Sequence, residues 1–160
     1  MENTKDSPGV FIPPPLFYVA SFFLSVLLQK YFPISTSFFH SLMAGILGGI
    51  CIVAGLFFSA PALGQFFRTK NTLVTIKPAA SLQTNGIYSI SRNPMYTGLV
   101  FIYLGLAFVA GNWWTIILLP VLVSLICYLV IFPEEEYLSR AFGESYDDYK
   151  KMVRRWIGKA

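Results

Sequence analysis

Gly86-Ile87-Tyr88-Ser89-Ile90-Ser91-Arg92-Asn93-Pro94-Met95-Tyr96-Thr97-Gly98 is the point where a polar loop turns into a long apolar run. From Met95 to Phe132 there is no Asp, Glu, Lys or Arg. The chain then returns at once to Glu134-Glu135-Glu136. A run of that length can cross a bilayer and come back, since one spanning helix takes roughly 20 residues. The two polar clusters, far apart in sequence, are therefore expected to meet at one face of the membrane.

Composition agrees with that placement. Of the 160 residues, 55% are hydrophobic, 17% aromatic and only 12% charged, against about 25% charged in soluble domains. Mean hydropathy is +0.60. The charge-free stretches 7–29, 31–67 and 93–133 supply an all-α, polytopic membrane fold as one domain over 1–160. Four spans are expected, at about 15–32, 38–60, 95–111 and 113–132, in two hairpins. A loop over 68–93 and a helical tail over 133–160 complete the chain. The first span is read as retained, because Pro13-Pro14-Pro15 precedes it and no clean small-residue cleavage site follows.

Ten of the twelve basic residues lie in the 68–93 loop or the tail. Positive charge stays cytosolic, so both termini and that loop are expected inside, with Trp113 and Trp114 anchoring the opposite interface. The net charge of +4 belongs to these flanks and excludes a nucleic-acid face. Cys51, Cys127 and the single histidine, His40, give no metal or disulfide framework. In the second span, Ala44, Gly45, Gly48 and Gly49 place small residues four apart, which lets a neighbouring backbone come close. Pro61 and Pro120 are expected to kink their spans. In the tail, apolar positions at helical spacing and the breaker Gly143 predict two short helices against the membrane surface or over the loop.

The chemistry-bearing candidates are polar groups at the membrane boundary. Asn93-Pro94 has the form of a helix start, a capping side chain followed by a proline in the first turn. Asn93 is then a simple cap, or it belongs to a helix N-terminus that, with Arg92 and Tyr96, holds the polar end of a ligand. Glu134, Glu135 and Glu136 have no local basic partner nearer than Arg140; they are a solvated charge run, or they bind a cation such as a sulfonium. Arg68 is a snorkelling anchor or a bidentate grip on an anion. Tyr88 is an interfacial ring or one stacked on a ligand.

In this order the motifs resemble the isoprenylcysteine carboxyl methyltransferase family and its relatives, the membrane phospholipid N-methyltransferases. The resemblance runs from Arg68 to Trp156 through Gly-Ile-Tyr, Arg-Asn-Pro-Met-Tyr-x-Gly, Glu-Glu, Phe-Gly-x-x-Tyr-x-x-Tyr and Val-Arg-Arg-Trp. It implies an enzyme with S-adenosylmethionine as methyl donor, the lipid bilayer as partner and a lipophilic methyl acceptor. By position it implies that Tyr88, Asn93, Pro94, Met95 and Tyr96 line the cofactor pocket. Glu134, with Glu135 beside it, would bind the cofactor, and the 80–83 segment, including Leu82 and Gln83, would add backbone contacts. Arg68, with Arg92, would orient the acceptor. Asn93 stands where the eukaryotic carboxyl methyltransferases have histidine, and Val130 where they have an arginine that touches substrate.

Two other classes compete. A sterol-reductase-like membrane enzyme would bind NADPH in the same polar region, although three glutamates are a poor setting for its 2′-phosphate. A membrane scaffold or transporter subunit built on the glycine-rich span would leave the polar clusters without a role. The acceptor itself, a carboxylate, an amine or a thiol, is open, and so is the oligomeric state.

Overall fold

The computed structural model describes residues 9–10, 12–68 and 81–160, with only the backbone of 66–68 described. Among these residues every regular element is helical. The helices are α1 (Pro14–Tyr31), α2 (Leu42–Arg68), α3 (Pro94–Ala110), α4 (Trp113–Ile126), α5 (Phe132–Phe142) and α6 (Glu144–Met152). Short 3₁₀ turns stand at Ser37–His40 and Gly86–Ser89, and a π-turn at Cys127–Ile131.

Local chemistry sets the ends of these helices. Prolines open α1 and α3, where a missing N–H costs nothing. Gly111 closes α3 in the left-handed region at φ 63°, a conformation glycine adopts without strain. The next residue, Asn112, then caps α4 by accepting from the Trp114 amide at 2.9 Å. One residue ends a helix and its neighbour starts another, which is why the 111–112 connection is so short.

Two helical stretches, Leu42–Gln65 and Trp113–Phe142, are long and apolar enough to cross a membrane, and Pro94–Ala110 is a shorter apolar helix. Their outward side chains are large and apolar: Met43, Ile50 and Val53 on α2, Val109 on α3 and Val121 on α4 are all more than half exposed. A soluble protein would bury such a surface. This is a membrane protein, with lipid as the solvent of those faces.

The most extensive packing runs between the two expected hairpins and not within them. Here α2 packs most extensively on α3, and α1 packs on α4. The α2–α3 contact is made backbone to backbone. A Cβ on Gly55 would lie 2.9 Å from the Gly98 carbonyl oxygen, and one on Gly105 only 2.5 Å from Ile52 Cδ1. Of the small residues expected to pack in the second span, Ala44 is fully buried and Gly48 faces Phe108. Gly45 and Gly49 have nothing within 4 Å. Four-residue spacing defines the stripe, but only one of its two edges meets α3.

The α1–α4 side is joined by hydroxyls instead. Ser25 Oγ lies 2.8 Å from Thr115 Oγ1, and Asn112 Nδ2 donates to Ser25 Oγ at 3.2 Å. One turn and two turns earlier on α1, Ser21 meets the Tyr103 hydroxyl at 2.7 Å and Tyr18 donates to the Tyr96 carbonyl at 3.4 Å. Residues 18, 21 and 25 fall on one face of a 3.6-residue helix, so α1 reaches α3 and α4 through a polar stripe.

The helix of the fourth span does not stop at 132. The π-turn carries the helix from α4 directly into α5, so the polar tail begins as a continuation of the membrane rod. Gly143, at φ 54°, breaks it before α6 as expected.

Candidate functional site

The site lies where the start of α3, the end of the long rod and the C-terminal tail converge. The π-turn decides which side chain faces inward. Its Phe132 amide reaches back to Cys127 O, five residues away instead of four, and the extra residue turns everything beyond it by about 100° relative to an unbroken α-helix. Glu134 then faces α3, and the Tyr96 hydroxyl donates to its Oε1 at 2.8 Å. Two residues 38 apart in sequence meet, as the opening stretch predicts.

The three glutamates divide into three environments. Glu134 is partly buried and has no Lys or Arg within salt-bridge distance among the described residues. Burial pushes its carboxyl up to about 7, and adjacent Glu135 adds to the rise while the Tyr96 hydrogen bond opposes it. Glu135 takes two arginines: Arg155 donates through Nε at 3.0 Å and Nη2 at 2.8 Å, and Arg92 Nη1 lies 3.3 Å away. Glu136 pairs with Arg140 at 2.6 Å on the exposed face. The expectation that the triplet has no local partner is thus corrected for Glu136, because i and i+4 side chains meet on a helix.

Asn93 does not cap α3 with its side chain. Its Nδ2 donates instead to Arg155 O at 3.3 Å, while the Ser91 hydroxyl accepts from the Asn93 amide at 3.1 Å. The capping expectation fails because the tail offers the amide a carbonyl. Pro94 is buried beneath this turn, and Tyr96 is buried beside it. Tyr88 is buried with Ile87, Tyr146 and Tyr149, and Leu82 and Met95 pack on the same group. Tyr149 fixes that loop by donating to Tyr88 O at 2.6 Å. Burial raises the Tyr88 and Tyr149 hydroxyls well above the ordinary tyrosine range, which keeps Tyr149 a donor. Gln83 accepts from Gln65 Nε2 at 2.7 Å, tying the 81–83 segment to the end of α2.

Leu82, Gln83, Tyr88, Asn93, Pro94, Met95, Tyr96 and Glu134 are therefore gathered around one end of the bundle. Arg92 and Glu135 lie beside them but bind each other. The Arg68 side chain and Ala80 lie outside the described residues. Val130 is fully buried in the π-turn. Residues that the sequence reading left without a role hold the site together: Ser91, Thr97, Tyr149 and above all Arg155, whose guanidinium also lies 4.7 Å over the Phe132 ring. The Arg154-Arg155-Trp156 motif was the available signal for Arg155, and Phe-Gly-x-x-Tyr-x-x-Tyr that for Tyr149.

This arrangement can do one thing well. A carboxylate with a hydrogen bond from a phenol but, among the described residues, no cation, set among aromatic rings at a membrane boundary, suits a ligand that brings a positive charge.

Comparison with known proteins agrees with that geometry. Residues 43–145 match the model of the phospholipid methyltransferase family. The chain is 31% identical over 109 residues to the protein-S-isoprenylcysteine O-methyltransferase of Schizosaccharomyces pombe, a match that covers 67% of this chain. It spans 45% of that relative's length. No solved structure matches the chain.

Proposed function

The chain belongs to the phospholipid methyltransferase family, and from that premise we propose that it transfers a methyl group from S-adenosylmethionine to a lipophilic acceptor at a membrane surface. The observation that carries the reading is the 2.8 Å hydrogen bond between Tyr96 and Glu134. It joins the two halves of the family motif around a carboxylate that lacks a cation among the described residues.

S-adenosylmethionine supplies an activated methyl on a positively charged sulfur. The residues present fit such a molecule. Glu134 balances its charge, Tyr96 aims that carboxylate, and Tyr88, Met95, Asn93 and Pro94 form the walls and floor. The 82–83 segment closes the side toward α2. Because methyl transfer is an in-line displacement, the protein's part is positioning and exclusion of water. A carboxylate acceptor needs no base, so the site requires no catalytic histidine.

Glu135 takes a different role from the one the resemblance implies. Neutralised by Arg92 and Arg155, it clamps the tail over the start of α3 instead of meeting the cofactor. Those pairings occupy Arg155 and one end of Arg92, and three glutamates beside them weaken the NADPH alternative. Arg92 Nε is buried without a hydrogen-bond partner among the described residues, which leaves it able to receive an anionic part of a ligand. Arg68, the last residue of α2, is proposed to orient the acceptor. The acceptor is proposed to be an isoprenylcysteine-type carboxylate, with a phospholipid amine as the second choice. The four crossings are proposed to leave both termini and the site cytosolic, from the distribution of Lys and Arg.

The test is radiolabelled methyl transfer from S-adenosylmethionine to prenylated cysteine, phosphatidylethanolamine and small thiols. Label in the first identifies carboxyl methylation. Folded protein that labels none of the three and binds no cofactor refutes the proposal.

A further inference from the structure

The last eight residues form a hook with two unlike sides. Val153 and Lys159 pair as an antiparallel bridge. Arg154 N donates to Gly158 O at 2.9 Å, and Ala160 N to Met152 O at 3.1 Å. The inner side is occupied. Val153 is buried, Trp156 packs on the core that contains Tyr18 and Tyr96, and Arg155 binds Glu135. The outer side carries Met152 at 60% exposure, Ile157 at 45% and, from the loop that Gly158 N bonds, Ile90 at 39%. Beside them Arg154 and Lys159 are exposed and form no salt bridge among the described residues. From Tyr149 to Ala160 there is no acidic residue.

Exposed apolar side chains among unpaired cations are poorly suited to water and well suited to the headgroup boundary of an anionic bilayer. The position fits too. Carbonyls of Arg155 and Trp156 accept from Asn93 and Thr97, so the hook is held within one turn of the first residues of α3, an apolar helix of the membrane domain. We propose that the hook docks on an anionic lipid surface, with Met152, Ile157 and Ile90 at the acyl boundary and Arg154 and Lys159 on lipid phosphates, and that this docking holds the tail closed over the candidate site. The inference rests on the membrane placement of α2 and α3 and is independent of methyl transfer.

The full chain, with Cys51 and Cys127 replaced by serine, is labelled with a fluorophore at Ile157→Cys or, separately, at Val53→Cys on the outer face of α2. It is reconstituted in phosphatidylcholine vesicles with or without phosphatidylglycerol, using lipids that carry a quencher. The α2 label should be quenched in both; if it is not, the membrane placement itself fails. The hook label should be quenched much more strongly with phosphatidylglycerol. Adding Arg154→Gln and Lys159→Gln should lower its docked-to-undocked ratio by roughly thirtyfold, the scale of two cations near an anionic surface. Quenching of the hook label that is absent, or equal in the two lipids, overturns the proposal.

Discussion

The bundle has a buried polar cluster at each end, and the two are built on opposite plans. At one end Ser25, Thr115 and Asn112 are neutral and mutually satisfied: Ser25 donates to Phe22 O at 2.7 Å, and every side chain of the group has a partner. At the other end Tyr96 meets a carboxylate that, among the described residues, has one hydrogen bond and no cation. Buried polar groups that only hold helices together are expected to close on themselves, since an unmet group in an apolar setting is costly. A cluster left short of positive charge is stable at reduced cost only when a proton, or a cationic ligand, completes it. The difference between the clusters separates the part that fastens the fold from the part that binds.

The strongest way to break this contrast is Glu134→Gln. If the carboxylate is the counter-charge for the cofactor, affinity for S-adenosylmethionine should fall by about 1.5–3 kcal/mol, the range for a hydrogen bond to a charged group, while the fold persists. Calorimetry on folded protein measures it, and an unchanged affinity would remove Glu134 from the site.

The pH dependence comes next in size. A carboxyl held at about 7 is mostly protonated at pH 6 and mostly ionised at pH 8. Cofactor affinity should therefore drop by roughly tenfold from pH 8 to pH 6, about 1.4 kcal/mol, and Glu134→Gln should flatten the profile. For stability without ligand the sign is reversed. A folded pKa above the unfolded value of 4.5 means that the native state binds the proton more tightly. This group's contribution is then full below pH 4.5 and is lost as pH rises through about 7. Thermal midpoints across that window, for wild type and Glu134→Gln, check the sign.

Ser25→Val probes the other cluster. It should cost about 1 kcal/mol by leaving Asn112 and Thr115 short of a partner, seen as a lower unfolding midpoint in detergent. Cofactor affinity should not move, and a loss of binding would mean that the two ends are coupled. The smallest effect is expected for Glu136→Gln, within about 0.5 kcal/mol on stability, because its pair with Arg140 is exposed. A large loss of binding in that variant would contradict the division of the glutamates.

Much of this was legible in the chain. The membrane class, the helix starts at Pro14, Pro94 and Trp113, the break at Gly143 and the meeting of the Asn93 region with Glu134 all follow from charge-free length, proline, glycine and capping chemistry, which act over a few residues. The site was legible as a region and not as a set of contacts. Asn93 bonds a tail carbonyl instead of capping its own helix, Glu135 is claimed by Arg92 and Arg155, and Glu136 by Arg140. Nothing in the spacing of Glu134-Glu135-Glu136 tells them apart.

What the sequence determined by itself is the set of helices and the segments outside the apolar runs in which the polar groups lie, because hydropathy and helix punctuation are local properties. The tertiary structure alone decided that α2 pairs with α3 and α1 with α4, which glycines touch a neighbour, and that the π-turn at Cys127–Ile131 points Glu134 at Tyr96. Those outcomes depend on the rotation of one helix against another. A single inserted residue changes that rotation by about a quarter-turn or more, while leaving composition and hydropathy the same.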